Sequence, residues 1–359
     1  MIKYLGSKRT LVPVLGDLLA AAGGATALDL FTGTTRVAQE FCRRGAHTTA
    51  VDIASYSEVL GQCYVETDAR AADRQEISEA LEHLSSLPEV RGYVTETFCE
   101  ASRYFHPKNG RRIDAIREGI DEHYADSPLR PILLTSLLEA ADAVDSTVGV
   151  QMAYLKSWAP RALNDLRLRA PELTPGTGQV LRGDAVELAG VLPQVDLAYL
   201  DPPYNQHRYY TNYHVWETLV RWDRPEHYGV ACKRVDARED STKSVFNRKR
   251  AMPEALARTI AEVRAETVVV SFSDEGYVPL EELVEMCRAR GQPVEVLAFD
   301  HRRYVGSRIG IFSPSGERVG KVSHTRNTEY LLLCGAEDRI GEMTEAALPR
   351  SAGRSPTLR

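Results

Sequence analysis

The chain has 359 residues, of which 43% are hydrophobic and 26% charged, with a formal net charge of −6; this length predicts one catalytic domain with a substantial insertion. No apolar run approaches the roughly 20 residues of a membrane helix and the start lacks a signal-peptide pattern, so we predict a cytoplasmic protein without a membrane partner. The six cysteines form no CxxC pair, which argues against a metal site and a disulfide framework, and net charge is a weak guide to nucleic-acid binding because a local basic face decides it.

The first motif is Lys3-Tyr4-Leu5-Gly6-Ser7-Lys8, and apolar residues at helical spacing follow it from Leu11 to Leu19. A Gly-Ser-Lys turn at a helix start can bind an anion through its N–H groups and the lysine ammonium. The turn lacks the spacing of a P-loop, so nucleotide hydrolysis is not indicated. Taken alone, the segment favours a capped amphipathic helix.

The next elements predict a nucleoside-binding βαβ unit: a strand over 26–31, a helix over 35–44 and a strand over 48–53. The spacing from Asp29 to Asp52 places an acid where it accepts from both ribose hydroxyls. Only Gly33 stands where a pyrophosphate-binding turn needs three glycines, so the expected ligand has a ribose and no diphosphate. S-adenosylmethionine fits that description. The alternative is an ordinary βα turn with a solvated Asp52.

Residues 55–178 interrupt the βα alternation with mostly helical, polar sequence, which predicts an inserted lobe. Basic residues alternate with aromatic residues there, a pattern that suits contact with a phosphate backbone. A solvated protein surface explains each basic cluster equally well. The predicted DNA contacts in the lobe are Lys108, Arg111 and Arg112.

The sheet resumes at 179–182, and Asp184 follows it beside Ala185. Asp184 either accepts from the amino group of an adenine ring or caps the next helix; the local sequence favours neither. Residues 195–200 then predict a buried parallel strand that ends in Asp201-Pro202-Pro203-Tyr204. Ligands of open α/β sheets bind at the carboxyl ends of such strands.

Prolines stiffen this turn and carry no N–H, so a rigid carboxylate and a carbonyl oxygen form a two-acceptor clamp for an NH2 group. Tyr204 adds a flat surface on which a planar ring can stack. The motif therefore predicts an enzyme that holds the exocyclic amine of an aromatic base. The alternative is a strand-ending turn with a buried tyrosine.

A long polar stretch, 224–252, follows and predicts a DNA-contacting loop that orders on binding. Its predicted contacts are Lys233, Arg234, Lys249 and Arg250. We then predict strands over 267–272, 294–299 and 328–333, a helix over 279–290, and a basic β-hairpin before the last strand. The polar sequence from 337 predicts a disordered tail.

With these motifs in this order, the chain resembles the class D12, or Dam-type, N6-adenine DNA methyltransferases over roughly residues 2–334. The resemblance implies a Rossmann-like α/β fold, with a doubly wound, mostly parallel sheet and an antiparallel last strand. It implies a catalytic domain of 1–60 and 178–336, a helical target-recognition lobe of 61–177, and a tail of 337–359. S-adenosylmethionine is the implied cofactor and double-stranded DNA the implied partner, with a separate cognate restriction endonuclease as a further partner.

The resemblance also implies roles for single residues. Tyr4 and Lys8 match an N-terminal cofactor motif, whose lysine can also reach the target base pair. Around the cofactor, Asp29, Phe31 and Gly33 match the loop at the methionine moiety, Asp52 the ribose ligand, and Asp184 with Ala185 the adenine ligand. Asp201, Pro202 and Tyr204 match the catalytic clamp, with Asp201 also bordering the cofactor. The region His324 to Leu333 matches the final strand.

The predicted chemistry follows from the clamp. Hydrogen bonds from N6 to Asp201 and to the Pro202 carbonyl free the nitrogen lone pair for attack on the sulfonium methyl, and no metal is needed. With an ordinary carboxyl pKa of about 4, Asp201 would be a poor general base. The alternatives are an N-methyltransferase acting on RNA or on a protein glutamine, and a catalytically silent DNA-binding protein on the same scaffold.

Overall fold

The computed structural model describes residues 2–6, 8–302 and 326–347. The chain divides into two compact units. We call the first the helical unit; it comprises Met1–Leu5, Ala54–Gly176 and Arg208–Lys243. The second, the sheet unit, comprises Gly6–Ile53, Thr177–His207 and Ser244–Arg359.

The strands of the described chain are β1 (Thr26–Asp29), β2 (His47–Asp52), β3 (Gly178–Arg182), β4 (Val195–Leu200), β5 (His227–Tyr228), β6 (Lys233–Arg234), β7 (Ala265–Ser273), β8 (Val294–Arg302) and β9 (Arg326–Cys334). Seven of them form the sheet of the sheet unit in the order β3-β2-β1-β4-β7-β9-β8. Neighbours from β3 to β7 are parallel, whereas β9 runs antiparallel to both β7 and β8. The predicted α/β fold, mostly parallel with an antiparallel last strand, is confirmed.

The α-helices of the described chain are α1 (Val12–Ala21), α2 (Arg36–Arg43), α3 (Ser55–Gly61), α4 (Arg74–Ser86), α5 (Pro107–Tyr124), α6 (Arg130–Ala143), α7 (Ala185–Leu188), α8 (Tyr209–Asn212), α9 (His214–Arg221), α10 (Met252–Glu262), α11 (Leu280–Arg288) and α12 (Glu337–Ala347). None of these helices is both long and apolar enough to cross a bilayer.

Both faces of the sheet are covered, which explains why its strands read as continuous apolar runs. Successive residues of a strand point to opposite faces. Thus Leu28 and Leu200 pack with α10 and α11 on one face, whereas Ala27 and Tyr199 pack with α1 and α2 on the other.

The strand order reverses between β1 and β4, because β2 and β3 lie on one side of β1 while β4 and β7 lie on the other. Ligands of open α/β sheets bind at such a switch point, outside the carboxyl ends of the strands. The sheet topology therefore marks the edge formed by the ends of β1 and β4 as the place to look for a ligand site.

The helical unit is larger than the lobe predicted over 61–177. It also contains residues 1–5, 54–60 and 208–243, so three segments of the chain form it rather than one. Its core is made by α3, α4, α5, α6 and α9, with Phe98, Leu137 and Trp216 among the buried side chains. The assignment of this unit to target recognition stays a prediction.

The prediction of a disordered tail from 337 is wrong for residues 337–347, which form α12. Ile340, Met343 and Ala347 are buried at helical spacing and pack in the same cluster as Leu15 of α1. This apolar stripe is only three turns long and lies among charged residues, so overall polarity hid it. Outside the described residues lie positions 303–325 of the predicted hairpin, including His324, and the end of the tail.

Candidate active site

Three acids lie at the switch point of the sheet. Asp29 ends β1, Asp52 ends the neighbouring β2, and Asp201 directly follows β4. The register pairs Asp29 with Ala50 on one side and with Tyr199 on the other, so all three acids share the carboxyl edge. The three carboxylates therefore lie at one edge of the sheet unit, while their roles stay predictions.

Asp201 is held by a buried lysine. The Lys8 ammonium lies 3.1 Å from Asp201 Oδ1 and also pairs with Glu329 Oε1. Ser271 donates its hydroxyl to that same Glu329 oxygen at 2.7 Å. The side chains of Lys8 and Glu329 are only 7% and 4% exposed, so water screens this cluster poorly. One ammonium is therefore shared between a carboxylate that directly follows β4 and a carboxylate of β9.

This environment shifts the pKa of both partners. Burial raises the pKa of Asp201 to about 7; Lys8 opposes that shift, and Glu329 adds to it. Burial by itself lowers the pKa of Lys8, but Asp201 and Glu329 raise it well above its usual value. The expectation of an ordinary pKa for Asp201 was wrong, because the sequence does not show that the carboxyl is buried beside a second acid.

Tyr204 is packed rather than free. Its ring lies 5.7 Å from that of Phe272 at an interplanar angle of 59°, and Tyr277 N donates to its carbonyl at 3.0 Å. The Lys8 ammonium is 5.8 Å from the Tyr204 ring centroid. Burial raises the pKa of Tyr204 to about 12, so its phenol is neutral at physiological pH. Pro202, two residues earlier, is buried.

The acid at the end of β1 has an unsatisfied oxygen. Thr32 Oγ1 and Ala38 N donate to Asp29 Oδ2 at 2.8 Å and 3.2 Å, whereas Oδ1 is buried and finds no hydrogen-bond partner among the described residues. Burial raises the pKa of Asp29 to about 7. A buried carboxylate oxygen without a donor is costly, so this position suits a ligand that brings a donor or a positive charge.

The turn after β1 connects Asp29 and Asp52, which we call the cofactor-side acids because the sequence predicts that they face the cofactor. Gly33 has a φ of +52°, a conformation that glycine adopts readily, and its N–H donates to Asp52 Oδ2 at 2.9 Å. Asp52 remains half-buried and therefore reachable. S-adenosylmethionine carries an ammonium, a sulfonium and two ribose hydroxyls, so the buried Asp29 oxygen and the reachable Asp52 fit this group.

Other predicted cofactor residues lie in ordinary structural roles. Asp184 Oδ1 accepts from Val186 N at 2.8 Å, so the helix-cap alternative is confirmed for this residue. It still follows Gly183, whose N–H donates to Asp52 O at 3.0 Å, while Ala185 is buried. A part in adenine binding stays a prediction.

The two aromatic residues predicted at the cofactor lie in different units. Phe31 meets Phe246 edge to face, with ring centroids 5.0 Å apart, inside the sheet unit. Tyr4 belongs to the helical unit, where it stacks on Tyr213 at 4.6 Å and on Tyr209 at 5.3 Å. The stack explains why an aromatic residue stands at position 4, and contact with the cofactor stays a prediction.

The basic residues predicted in α5 all have protein partners. Lys108 donates to Asp165 at 2.7 Å, and Arg111 to Glu89 at 2.8 Å; both side chains are over a third exposed and can exchange these partners for phosphates. Arg112 instead donates to the carbonyls that end α4, including that of Ser85 at 2.7 Å. It has a structural role that the charge pattern did not indicate.

The predicted loop over 224–252 is structured in this chain, with β5, β6 and three short 3₁₀ turns. Arg234 is only 1% exposed and pairs with both Asp223 and Asp236, so the prediction that it contacts DNA is wrong for this structure. Lys233 is half-buried, whereas Lys249 and Arg250 are exposed. The last two stay the best predicted phosphate contacts of the loop.

Sequence reasoning missed residues that hold the site together. Glu329 and Ser271 are one example. The signal in the sequence was an acid, Glu329, just before the apolar residues of β9. Asn247 is another, since its side-chain amide donates to the carbonyls of Asn205 and His207 at 2.8 Å and 3.0 Å. It ties the segment before Lys249 to the loop that follows Tyr204.

Comparison with known proteins finds methyltransferases among the relatives of this chain. The chain is 29% identical over 320 residues to the type II methyltransferase M.NlaIII of Neisseria lactamica, covering 84% of this chain and 92% of that one. It is 30% identical over 315 residues to the type II methyltransferase M.CviAII of Paramecium bursaria Chlorella virus 1, with coverages of 84% and 92%. The match to the modification methylase StsI of Streptococcus sanguinis, 26% identical, covers 86% of this chain but only 50% of that protein.

The family match favours the predicted DNA substrate over the RNA, protein and silent-scaffold alternatives. It extends over residues 4–286 and so includes the cofactor-side acids, the inserted segment and Asp201-Pro202-Pro203-Tyr204. The chain therefore belongs to the D12 class N6 adenine-specific DNA methyltransferases.

Proposed function

We propose that Asp201, Pro202 and Tyr204 hold the target base of this enzyme, which methylates adenine N6 at specific DNA sites with S-adenosylmethionine as methyl donor. The observation that carries the proposal is the position of the Asp201 carboxylate, fixed by Lys8 through Oδ1 at the switch point of the sheet. A carboxylate held through one oxygen still has a second oxygen with which to accept an N6 proton.

The residues act mainly by positioning and charge. The N6 lone pair is delocalised into the adenine ring, and hydrogen bonds to Asp201 and to the Pro202 carbonyl favour a more tetrahedral nitrogen. Asp201 stabilises the positive charge that develops on N6 as the N–C bond forms. With a pKa of about 7, Asp201 is also matched to take up the proton that N6 then releases. The Tyr204 ring stacks on the base.

S-adenosylmethionine supplies an electrophilic methyl group on a sulfonium. We propose that Asp29 faces its positively charged methionine part, because the buried Oδ1 has no donor in the described chain. Asp52 accepts from the ribose hydroxyls while Gly33 N–H holds its other oxygen. Phe31, Asp184 and Ala185 border the same edge, and Lys8 contributes through Asp201.

Inside a duplex N6 is unreachable, so we propose that the adenine is flipped out, at a cost of a few kcal/mol. Exposed basic residues that neutralise phosphates offset this cost. The candidates that remain accessible are Lys108, Arg111, Lys249 and Arg250. Because its relatives are named as modification methylases, we also propose that the chain protects DNA from a separate restriction endonuclease that recognises the same sequence.

The test is long-read sequencing of plasmid DNA from cells that lack other adenine methylation and express the chain. We expect N6-methyladenine at one short motif, and a much smaller modified fraction of that motif in cells that express Asp201→Ala. Equal modification in both cultures would remove Asp201 from the proposal. If neither culture contains modified adenine although the purified chain binds S-adenosylmethionine, the proposed DNA substrate is wrong.

Replacing Lys249 and Arg250 by alanine should weaken DNA binding and make it less sensitive to salt. Each phosphate contact contributes about −0.9 to the slope of log K against log salt, so the double variant should lose a slope of about 2. The measurement is fluorescence anisotropy of a labelled duplex at several salt concentrations.

The matched control for this experiment is Arg258→Ala with Arg264→Ala. Both arginines are exposed: Arg258 lies in α10, and Arg264 lies just before β7. This edge of the sheet is opposite the edge that carries Asp201. The control removes the same charge, but away from the proposed DNA contacts, so it should leave the salt slope unchanged. Equal loss of slope in both double variants would show that net charge, not local contact, determines binding.

A further inference from the structure

We infer that Glu329 is a positioning residue of the methyl-transfer site, which holds the Lys8 ammonium in place so that Lys8 engages one oxygen of Asp201 and leaves the other to the target amine. This inference rests on the proposed role of Asp201. Glu329 does not reach the substrate in this arrangement; it acts through Lys8.

Lys8 is fixed at both ends. Its carbonyl accepts from Leu11 N at 2.7 Å and Val12 N at 2.9 Å, which anchors its backbone at the start of α1. Its ammonium is anchored by Glu329, whose Oε1 also accepts from Ser271. Such a doubly anchored side chain has little freedom to move toward Asp201 or away from it.

Glu329 is in turn fixed by the sheet. It lies in β9, between β7 and β8, and its register partner is Ser273 of β7. Ser271 lies two residues earlier in β7, so its side chain points to the same face of the sheet. Glu329 is buried, and a buried carboxylate is stable only when it is paired and hydrogen-bonded. Its position is therefore set by the fold.

Several charged and titratable groups act on the Asp201 carboxyl. Lys8 favours its ionised form, whereas burial and Glu329 disfavour it. Tyr199 and Tyr204 are neutral neighbours, because burial raises the pKa of each phenol. Asp29, at the end of the adjacent strand, is a further acid that interacts with Asp201. Lys8 and Glu329 therefore act on Asp201 in opposite directions.

This opposition gives two variants with opposite expected results. In Lys8→Met, Asp201 loses its cation and keeps the repulsion of Glu329, so its titration should move at least about 1 unit to higher pH. In Glu329→Gln the repulsion is lost and the ammonium has only Asp201 to pair with, so the titration should move to lower pH. The ammonium then competes with the target amine, and kcat should fall about 10-fold to 100-fold with little change in KM for DNA.

The experiment uses the full chain labelled with [4-13C]aspartate, and the Asp201 signal is identified by its loss in Asp201→Asn. Carboxyl chemical shifts are followed against pH in the wild type and in both variants, together with the acid limb of kcat/KM. Glu262→Gln, which removes an equal charge at the opposite edge of the sheet, is the control and should leave both readouts unchanged.

Shifts of opposite sign in the two variants support the inference. Shifts of the same sign, or no shift, overturn it, since a purely structural Glu329 would not move the titration of Asp201. If Glu329→Gln does not fold, Glu329→Asp retains the charge but withdraws it from Lys8, and a smaller downward shift is expected; an unchanged titration then overturns the inference. The carboxyl titration needs no turnover, so it is independent of whether the chain methylates adenine.

Discussion

Asp201→Ala should lower the rate of methyl transfer to adenine by about 10²–10³-fold and leave S-adenosylmethionine binding nearly unchanged. Removing one group that stabilises developing charge in a water-poor site costs a factor of this size. The cofactor-side acids do not depend on it, since Asp29 and Asp52 are held by Thr32 and by Gly33 N–H respectively. Catalysis and cofactor binding should therefore separate in this variant.

The measurement is single-turnover methylation of a duplex with tritiated methyl donor, alongside calorimetric binding of S-adenosylmethionine. Asp338→Ala, an exposed acid in the first turn of α12, is the control and should keep the full rate. A variant at Asp201 that retains more than a tenth of the rate would contradict the proposed clamp. Loss of cofactor binding with loss of rate would instead place Asp201 in the cofactor site.

The pH dependence has a definite sign. Burial raises the pKa of Asp201 to about 7, so below that pH the carboxyl is protonated and one of its oxygens becomes a donor. Because Lys8 holds the other oxygen, the proton then lies on the oxygen that should accept from N6, so the rate should rise with pH through about 7 and level off above it. An acid limb near the ordinary carboxyl value of about 4 would contradict the buried environment of Asp201.

The main residues of the candidate site could be identified because their pattern is local in the sequence. An apolar strand followed by Asp201-Pro202-Pro203-Tyr204 contains the acid, the rigid turn and the aromatic surface within four residues. Asp29 and Asp52 are separated by one helix, a spacing that the βαβ geometry fixes. Patterns of this kind give element types and sheet edges, so the fold class and the place of the site followed from them.

The supporting contacts could not be predicted because they are not local. Lys8 and Glu329 are 321 positions apart, and they meet only because β9 enters the sheet beside β7. The register that sets Glu329 near Ser271 follows from packing rather than from any short pattern. Without Glu329 and the burial of Asp201, the pKa of the Asp201 carboxyl could not be predicted.

Charge patterns in the sequence gave a wrong DNA contact for a related reason. A basic residue in a polar stretch looks exposed, but its side chain pairs with whatever acids the fold brings near. Arg234 shows this most clearly: Asp223 lies before it in the chain and Asp236 after it, and β6 brings its guanidinium between them. Lys249 and Arg250 have the same sequence character and are exposed. Counting basic residues cannot separate the two cases.

Arg234→Met should destabilise the chain by about 3 kcal/mol, the lower end of the 3–5 kcal/mol typical for breaking a buried ion pair. Arg234 is 1% exposed, but Asp223 and Asp236 are 31% and 23% exposed, so water partly compensates the carboxylates left behind. Methionine retains much of the apolar volume, which limits the contribution from a cavity. Lys249→Ala, at an exposed position, should change the free energy of unfolding by less than about 0.5 kcal/mol.

The loss of stability in Arg234→Met should depend on pH in a way that identifies its cause. Burial by itself raises the pKa of Asp223 and of Asp236, but Arg234 holds both below the usual value. Groups with a depressed folded-state pKa stabilise the fold above the unfolded-state value of about 3.9 and lose that contribution as the pH falls. The difference in the free energy of unfolding between wild type and Arg234→Met, measured with urea, should therefore narrow below about pH 4.

Adding Asp223→Asn and Asp236→Asn to Arg234→Met should recover part of the lost stability at pH 7, because no unpaired carboxylate then remains. If Arg234 bound DNA instead, its replacement would leave unfolding unchanged and reduce the salt slope of binding, as we expect for Lys249 and Arg250.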